Sequence, residues 1–113
     1  MSAITTHVLD LSRGRPADGV PIVLKRREGT AWQDVAKGTT DADGRLRNLM
    51  PEGESLKPGT YLLLFDTEKY FERTKIAAFY PEVSVVFTVR LAGSHHHVPL
   101  LLSPFGYSTY RGS

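Results

Sequence analysis

Cysteine is absent from the sequence. That excludes a disulfide scaffold, thiolate zinc sites and a cysteine nucleophile, and it fits a reducing compartment. Long apolar runs are missing too. The longest, Tyr61 to Phe65, falls far short of the roughly 20 residues that span a bilayer, and it suits a buried strand. Met1 to Asp10 shows no positively charged segment followed by an apolar stretch, so the expected location is cytoplasmic, without a membrane anchor. Charge of one sign is scarce. Fourteen Lys and Arg stand against twelve Asp and Glu, a net charge of +2. The basic residues are scattered, which argues against nucleic acid as a partner. The one dense cluster, Lys25-Arg26-Arg27, is followed at once by Glu28 and reads as a solvated strand end.

What is present describes an ordinary globular chain, 41% hydrophobic and 23% charged. Its 113 residues suit one domain spanning 1–113. A chain of this size buries roughly two-thirds of its unfolded surface, enough for one core without staples.

Short apolar runs separated by turn residues predict an antiparallel all-β domain. The first strand covers Ile4 to Leu11, with a loop after it at Arg13-Gly14-Arg15-Pro16 and Asp18-Gly19. Pro21 to Arg27 and Trp32 to Thr39 form a hairpin around Glu28-Gly29-Thr30. Asp41-Ala42-Asp43-Gly44 is a turn, since Asp-Gly readily supplies a positive φ. Strands then follow at Arg45 to Leu49, Tyr61 to Asp66, Val83 to Arg90, His97 to Leu102 and Tyr107 to Arg111. Thr67 to Ala78 is the one predicted helix, capped by Asp66 or Thr67 and stopped before Pro81. Eight strands and one helix imply a two-layer β-sandwich.

Residues two apart on a strand share a face. On the Val98 strand, Val98, Leu100 and Leu102 form the core set, leaving His97, Pro99 and Leu101 outward. If the first, Val98 and last strands are neighbours, one outer face carries His7, Leu9, His97, Pro99, Leu101, Ser108 and Tyr110. Such a mixed apolar and polar face suits a subunit interface or a ligand pocket. Its two histidines are candidates for acid–base work near neutral pH. Each histidine alone also fits a hydrogen-bonded structural role. Arg45 and Arg47 fit solvated loop positions, and the terminal residues fit a frayed tail. His95 and His97 share a face, so a His-x-His zinc pair with His7 as third ligand is a further reading of the spacing.

The segment His97-Val98-Pro99-Leu100-Leu101-Leu102-Ser103, together with Gly106-Tyr107-Ser108-Thr109-Tyr110-Arg111-Gly112-Ser113, strongly resembles the 5-hydroxyisourate hydrolases. These are the transthyretin-like enzymes of urate breakdown, and their terminal Tyr-Arg-Gly-Ser signature is matched in full. His7-Val8-Leu9-Asp10 and Thr39-Thr40-Asp41-Ala42-Asp43-Gly44-Arg45 agree with the same family, as do Tyr70-Phe71 and Phe79-Tyr80-Pro81-Glu82. The resemblance covers essentially the whole chain.

It implies a transthyretin-like sandwich of two four-stranded sheets with one short helix. It also implies a homotetramer with active sites where dimers meet. Hydrolysis of 5-hydroxyisourate is the implied activity, in a site without metal or other cofactor. His7, His97 and Arg45 are then the catalytic candidates, with Tyr110, Arg111 and Ser113 completing the substrate shell. One histidine would take a proton from water, while the other orients that water or serves as the acid. Arg45 would hold carbonyl oxygens of the ring. Arg111, opposite in parity to Tyr110, ranks lowest. The hormone-carrying transthyretins share the fold but lack the histidine pair and the Tyr-Arg-Gly-Ser tail. A small-ligand carrier without turnover is the first rival reading, and a structural module the second.

Overall fold

The alternating apolar pattern becomes nine strands and one helix in a computed structural model that describes residues 2–113. In chain order these are β1 (Ile4–Asp10), β2 (Arg15–Pro16), β3 (Pro21–Glu28), β4 (Ala31–Thr39), β5 (Arg45–Leu46), β6 (Gly59–Phe65), α1 (Thr67–Thr74), β7 (Val83–Val89), β8 (His96–Ser103) and β9 (Gly106–Thr109). One sheet runs β2-β1-β8-β9, with β5 also paired to β1. The other runs β4-β3-β6-β7 and is antiparallel throughout.

The expected sandwich is present, with five strands rather than four in the first sheet. Arg15-Pro16, read in the sequence as loop, forms a two-residue ladder with β1, Leu9 opposite Pro16 and Asp10 opposite Arg15. Proline is tolerated there because β2 is an edge, where no ladder bond is needed from its nitrogen.

Side chains of both sheets meet in one core. Ile4, Val8, Leu100 and Leu102 from the first sheet join Leu24, Leu63, Phe65, Val83 and Val89 from the second. At roughly 1.5–3 kcal/mol per fully buried aliphatic or aromatic side chain, this shared layer dominates the folding drive. Lys25-Arg26-Arg27 lies at a strand end, as its composition suggested. Lys25 pairs with Asp34 at 3.0 Å, and the Arg27 guanidinium lies over the Trp32 ring at 5.0 Å.

Helix α1 begins where expected, with Asp66 as N-cap accepting from the Lys69 amide at 3.1 Å. It ends earlier than the apolar spacing suggested. Lys75 adopts the left-handed conformation, and the amides of Lys75 and Ile76 turn back to Glu72 and Phe71. Ile76 and Ala78 still pack on the core, but from irregular chain. No helix among the described residues is long and apolar enough to cross a membrane.

The decisive feature for function is that β1 and β8 run parallel, from Ile4 opposite His96 to Asp10 opposite Leu102. This pairing brings the beginning of the chain beside its last fifth.

Candidate active site

Arg45 is positioned by the tight turn that precedes it. The Asp41 carboxylate accepts from the amides of Asp43 (2.9 Å) and Arg45 (3.0 Å), and the Asp41 amide donates to the Arg45 carbonyl (2.8 Å). These bonds, the Arg45 amide first, hold the Asp41 carboxyl below its ordinary range. Gly44 has φ +74° and leaves no room for a Cβ against the Val8 carbonyl. Its own carbonyl accepts from the Val8 amide at 2.8 Å, locking the turn onto β1. Arg45 then sits directly opposite His7 in the β1–β5 ladder.

The register of β1 with β8 places Thr5 beside His97 and His7 beside Pro99. Partners in such a ladder present their side chains on the same side of the sheet. The face inferred from strand parity is therefore real across β5, β1 and β8. It is more sheltered than the sequence suggested, since Thr5 and Pro99 are buried. The Thr5 hydroxyl lies between two imidazoles, 2.8 Å from His97 Nδ1 and 3.2 Å from His95 Nε2. His95 Nδ1 donates to the Ser2 carbonyl at 2.8 Å. His7 Nε2 donates to the Asp43 carbonyl at 3.0 Å.

The tail closes over this group. Past the end of β9 its register continues to an isolated bridge, Gly112 opposite His97, with the Gly112 amide donating to the His97 carbonyl at 2.8 Å. A cavity of about 520 Å³ opens here, lined among others by Thr5, Arg45, Arg47, His95, His97 and Ser113. That volume suits a small-molecule ligand.

Of the sequence candidates, His97, Arg45 and Ser113 line this cavity. His7 stands next to it, close enough for its charge and that of Arg45 to bear on His97. Tyr110 and Arg111 lie elsewhere in this chain. They line a separate cavity of about 240 Å³ with Val85, Phe87, His96 and Val98. Tyr110 is 58% exposed.

Burial, then the Arg45 charge, holds both His7 and His97 below the ordinary imidazole value of 6.5. For His97 the neighbouring His95 and His7 push the same way. Both effects favour the neutral form of each ring, which is the form able to accept a proton. With Nδ1 of His97 engaged by Thr5, Nε2 is the ring nitrogen available to the cavity. The arrangement brings a proton-accepting imidazole, a guanidinium and a hydroxyl to one cleft, a set suited to water attack on a carbonyl.

The zinc reading of the His95–His97 pair finds both rings turned to one threonine hydroxyl. Among the described residues no group of three His, Cys, Asp or Glu side chains is gathered for a metal ion. Thr5 was not among the sequence's site candidates, and His95 was one only as a zinc ligand. The signal was there, since Thr5 shares its face with His7 and His95 shares its face with His97. Only the β1–β8 register shows that these two pairs meet.

The family model described as HIUase/Transthyretin matches residues 4–112. The 5-hydroxyisourate hydrolase of Salmonella dublin is 46% identical over 110 residues, covering 97% of this chain and 80% of that protein. Among solved structures, 5-hydroxyisourate hydrolase from Klebsiella pneumoniae matches with a TM-score of 0.84 at 36% identity, over 97% of this chain and 98% of that one. Transthyretin from Sparus aurata matches with a TM-score of 0.91 at 32% identity, over 99% and 97% of the two chains. The backbone is thus common to proteins of both names, and the side chains of the cleft have to separate them.

Proposed function

The chain belongs to the HIUase/Transthyretin family, and from that premise we propose that it is a 5-hydroxyisourate hydrolase of urate degradation, acting on its small-molecule substrate without a cofactor. The observation that carries this reading is the His97 ring, favoured in its neutral form, oriented through Nδ1 and sharing a cavity with Arg45 and Ser113. A carrier that only encloses its ligand gains nothing from an oriented, titratable imidazole.

In the proposed reaction His97 Nε2 takes a proton from water as the water oxygen bonds to C6 of the substrate. Arg45, with paired N–H donors, holds the ring's carbonyl oxygens as charge develops on them. The N1–C6 bond then breaks, and N1 receives the proton carried by the charged His97 imidazole. The product is 5-hydroxy-2-oxo-4-ureido-2,5-dihydro-1H-imidazole-5-carboxylate. Proton transfers of this kind contribute about 10²–10⁴-fold in rate.

Ser113 belongs to the substrate shell from the same chain. Tyr110 and Arg111 are proposed to join it in a homotetramer, with active sites formed where dimers meet. The outer face that carries His7, Leu9 and Leu101, all half-buried, supports such an assembly, because apolar groups on it stay partly open to water. A cytoplasmic setting is part of the same proposal.

The test is the spectroscopic decay of freshly generated 5-hydroxyisourate with purified, chelator-treated protein. Acceleration above the spontaneous rate supports the reading, whereas saturable binding without turnover favours a carrier.

A further inference from the structure

Thr5 and His95 form a chain of hydrogen bonds behind His97 that permits only one direction when read atom by atom. The Ser2 carbonyl can only accept, so the His95 Nδ1 facing it at 2.8 Å carries the proton. In its neutral form His95 carries one N–H, which leaves its Nε2 as an acceptor. The Thr5 hydroxyl, 3.2 Å away, therefore donates to it. A hydroxyl has a single proton. Having donated it to His95, Thr5 Oγ1 can only accept from its second neighbour, His97 Nδ1, at 2.8 Å. His97 must then be the Nδ1–H tautomer, with its lone pair on Nε2.

We propose that His95 and Thr5 are positioning residues that fix His97 in the Nδ1–H tautomer and thereby make Nε2 the base. The assignment of a catalytic role rests on the hydrolase reading above, whereas the tautomer itself does not.

Two physical points strengthen the inference. Histidine in water favours the other tautomer, Nε2–H, which has no lone pair to offer on that nitrogen. Without the chain, most of the enzyme would hold the wrong form. The chain also polarises in the useful direction. When Nε2 takes a proton, the Nδ1–H bond to Thr5 becomes charge-assisted, and each dipole back to the Ser2 carbonyl is aligned to stabilise the new charge. His7 lacks this device. Its Nε2 proton is held by the Asp43 carbonyl and its ring stands outside the cavity lining, which favours an orienting role for it.

Long-range ¹H–¹⁵N NMR of the imidazoles, at a pH where His97 is neutral, reads the tautomer directly. The expected result is Nδ1–H for His97 in the wild-type protein and a shift toward Nε2–H in Thr5→Val and His95→Phe. In the decay assay both variants should lose kcat by about tenfold to a hundredfold with KM little changed, less than the roughly 10²–10⁴ at stake in the base itself. Thr5→Ser, which keeps the hydroxyl, should restore both the tautomer and kcat. Nε2–H in the wild type overturns the inference, as does a Thr5→Val protein that is folded with tautomer and kcat unchanged. A wild-type protein with the Nδ1–H tautomer but no turnover of 5-hydroxyisourate would remove the hydrolase reading while leaving the tautomer assignment standing.

Discussion

Gly112 lies so close against the His97 imidazole that a Cβ on it would stand 2.5 Å from Cδ2 and 3.2 Å from Cγ of the ring. The backbone at Gly112 is thus part of the wall that holds the proposed base in place. Its amide bond to the His97 carbonyl fixes the distance. Glycine is needed there for space, not for an unusual φ.

Gly112→Ala should therefore displace either the ring or the tail. Misplacement of about 1 Å at a reacting group can cost on the order of 10²-fold in rate. We expect a kcat/KM lowered by about that factor. The melting temperature should change little, since Gly112 lies beyond the last strand. Steady-state kinetics and a thermal melt check both halves, and full activity would show that the tail does not position His97.

The pH profile carries the sign of the Arg45 charge. Burial, then Arg45, holds His97 below 6.5, so the acid limb of kcat/KM should have its midpoint below pH 6.5. Removing the guanidinium removes a repulsion on the imidazolium and raises the imidazole value. In Arg45→Gln the normalised limb should move to higher pH, while KM rises through the lost hold on substrate. A limb that stays put or moves to lower pH would deny the coupling.

A third prediction separates structure from catalysis within the His7-to-Asp10 motif. Asp10 is buried at the end of β1 and accepts from Tyr70 (2.7 Å), from the Ser12 hydroxyl (2.7 Å) and from the Ser12 and Arg13 amides. Burial alone would raise its carboxyl, but the Tyr70, Ser12 and Arg13 bonds outweigh that and lower it below 3.8. Tyr70→Phe should cost about 1.5–3 kcal/mol of stability, as for a bond to a charged acceptor, and leave kcat unchanged. A lowered carboxyl adds stability that is complete above the unfolded value of 3.8 and is lost as pH falls through the folded value. The difference between wild type and variant should accordingly shrink below about pH 4. Denaturant melts across pH 3–7 measure it, and a penalty that grows in acid would contradict the account.

The turn before Arg45 offers a fourth test. Gly44→Ala puts a Cβ against the Val8 carbonyl at a φ of +74°. It should destabilise the protein by more than about 1 kcal/mol and raise KM through a displaced Arg45. Unchanged melting and kinetics would show that the turn is not what aims this arginine.

Much of this was legible in the sequence, for identifiable reasons. Strand parity put His7 and His97 on one face because their strands are regular and lie side by side in the sheet. The Asp-Gly turn announced where Arg45 stands, since few residues fit a positive φ. The extra edge strand at Arg15-Pro16 was hidden, because two residues carry no period. The end of α1 was overrun because Ile76 and Ala78 keep contact with the core after the helix stops. The Thr5–His95–His97 chain was invisible for a different reason. It depends on the register between strands 92 positions apart, which no local pattern encodes. Tyr110 and Arg111 stand apart from the cleft in the single chain, and their proposed role rests on the assembly.

The central claim is that one imidazole, His97, deprotonates the water that opens 5-hydroxyisourate. Its most direct test is the single-turnover rate of freshly generated 5-hydroxyisourate with His97→Ala beside the wild-type protein, at pH 7 and with matched circular dichroism. The account predicts a rate lowered by about 10²–10⁴-fold in a folded protein. Decay by His97→Ala at the wild-type rate would contradict it.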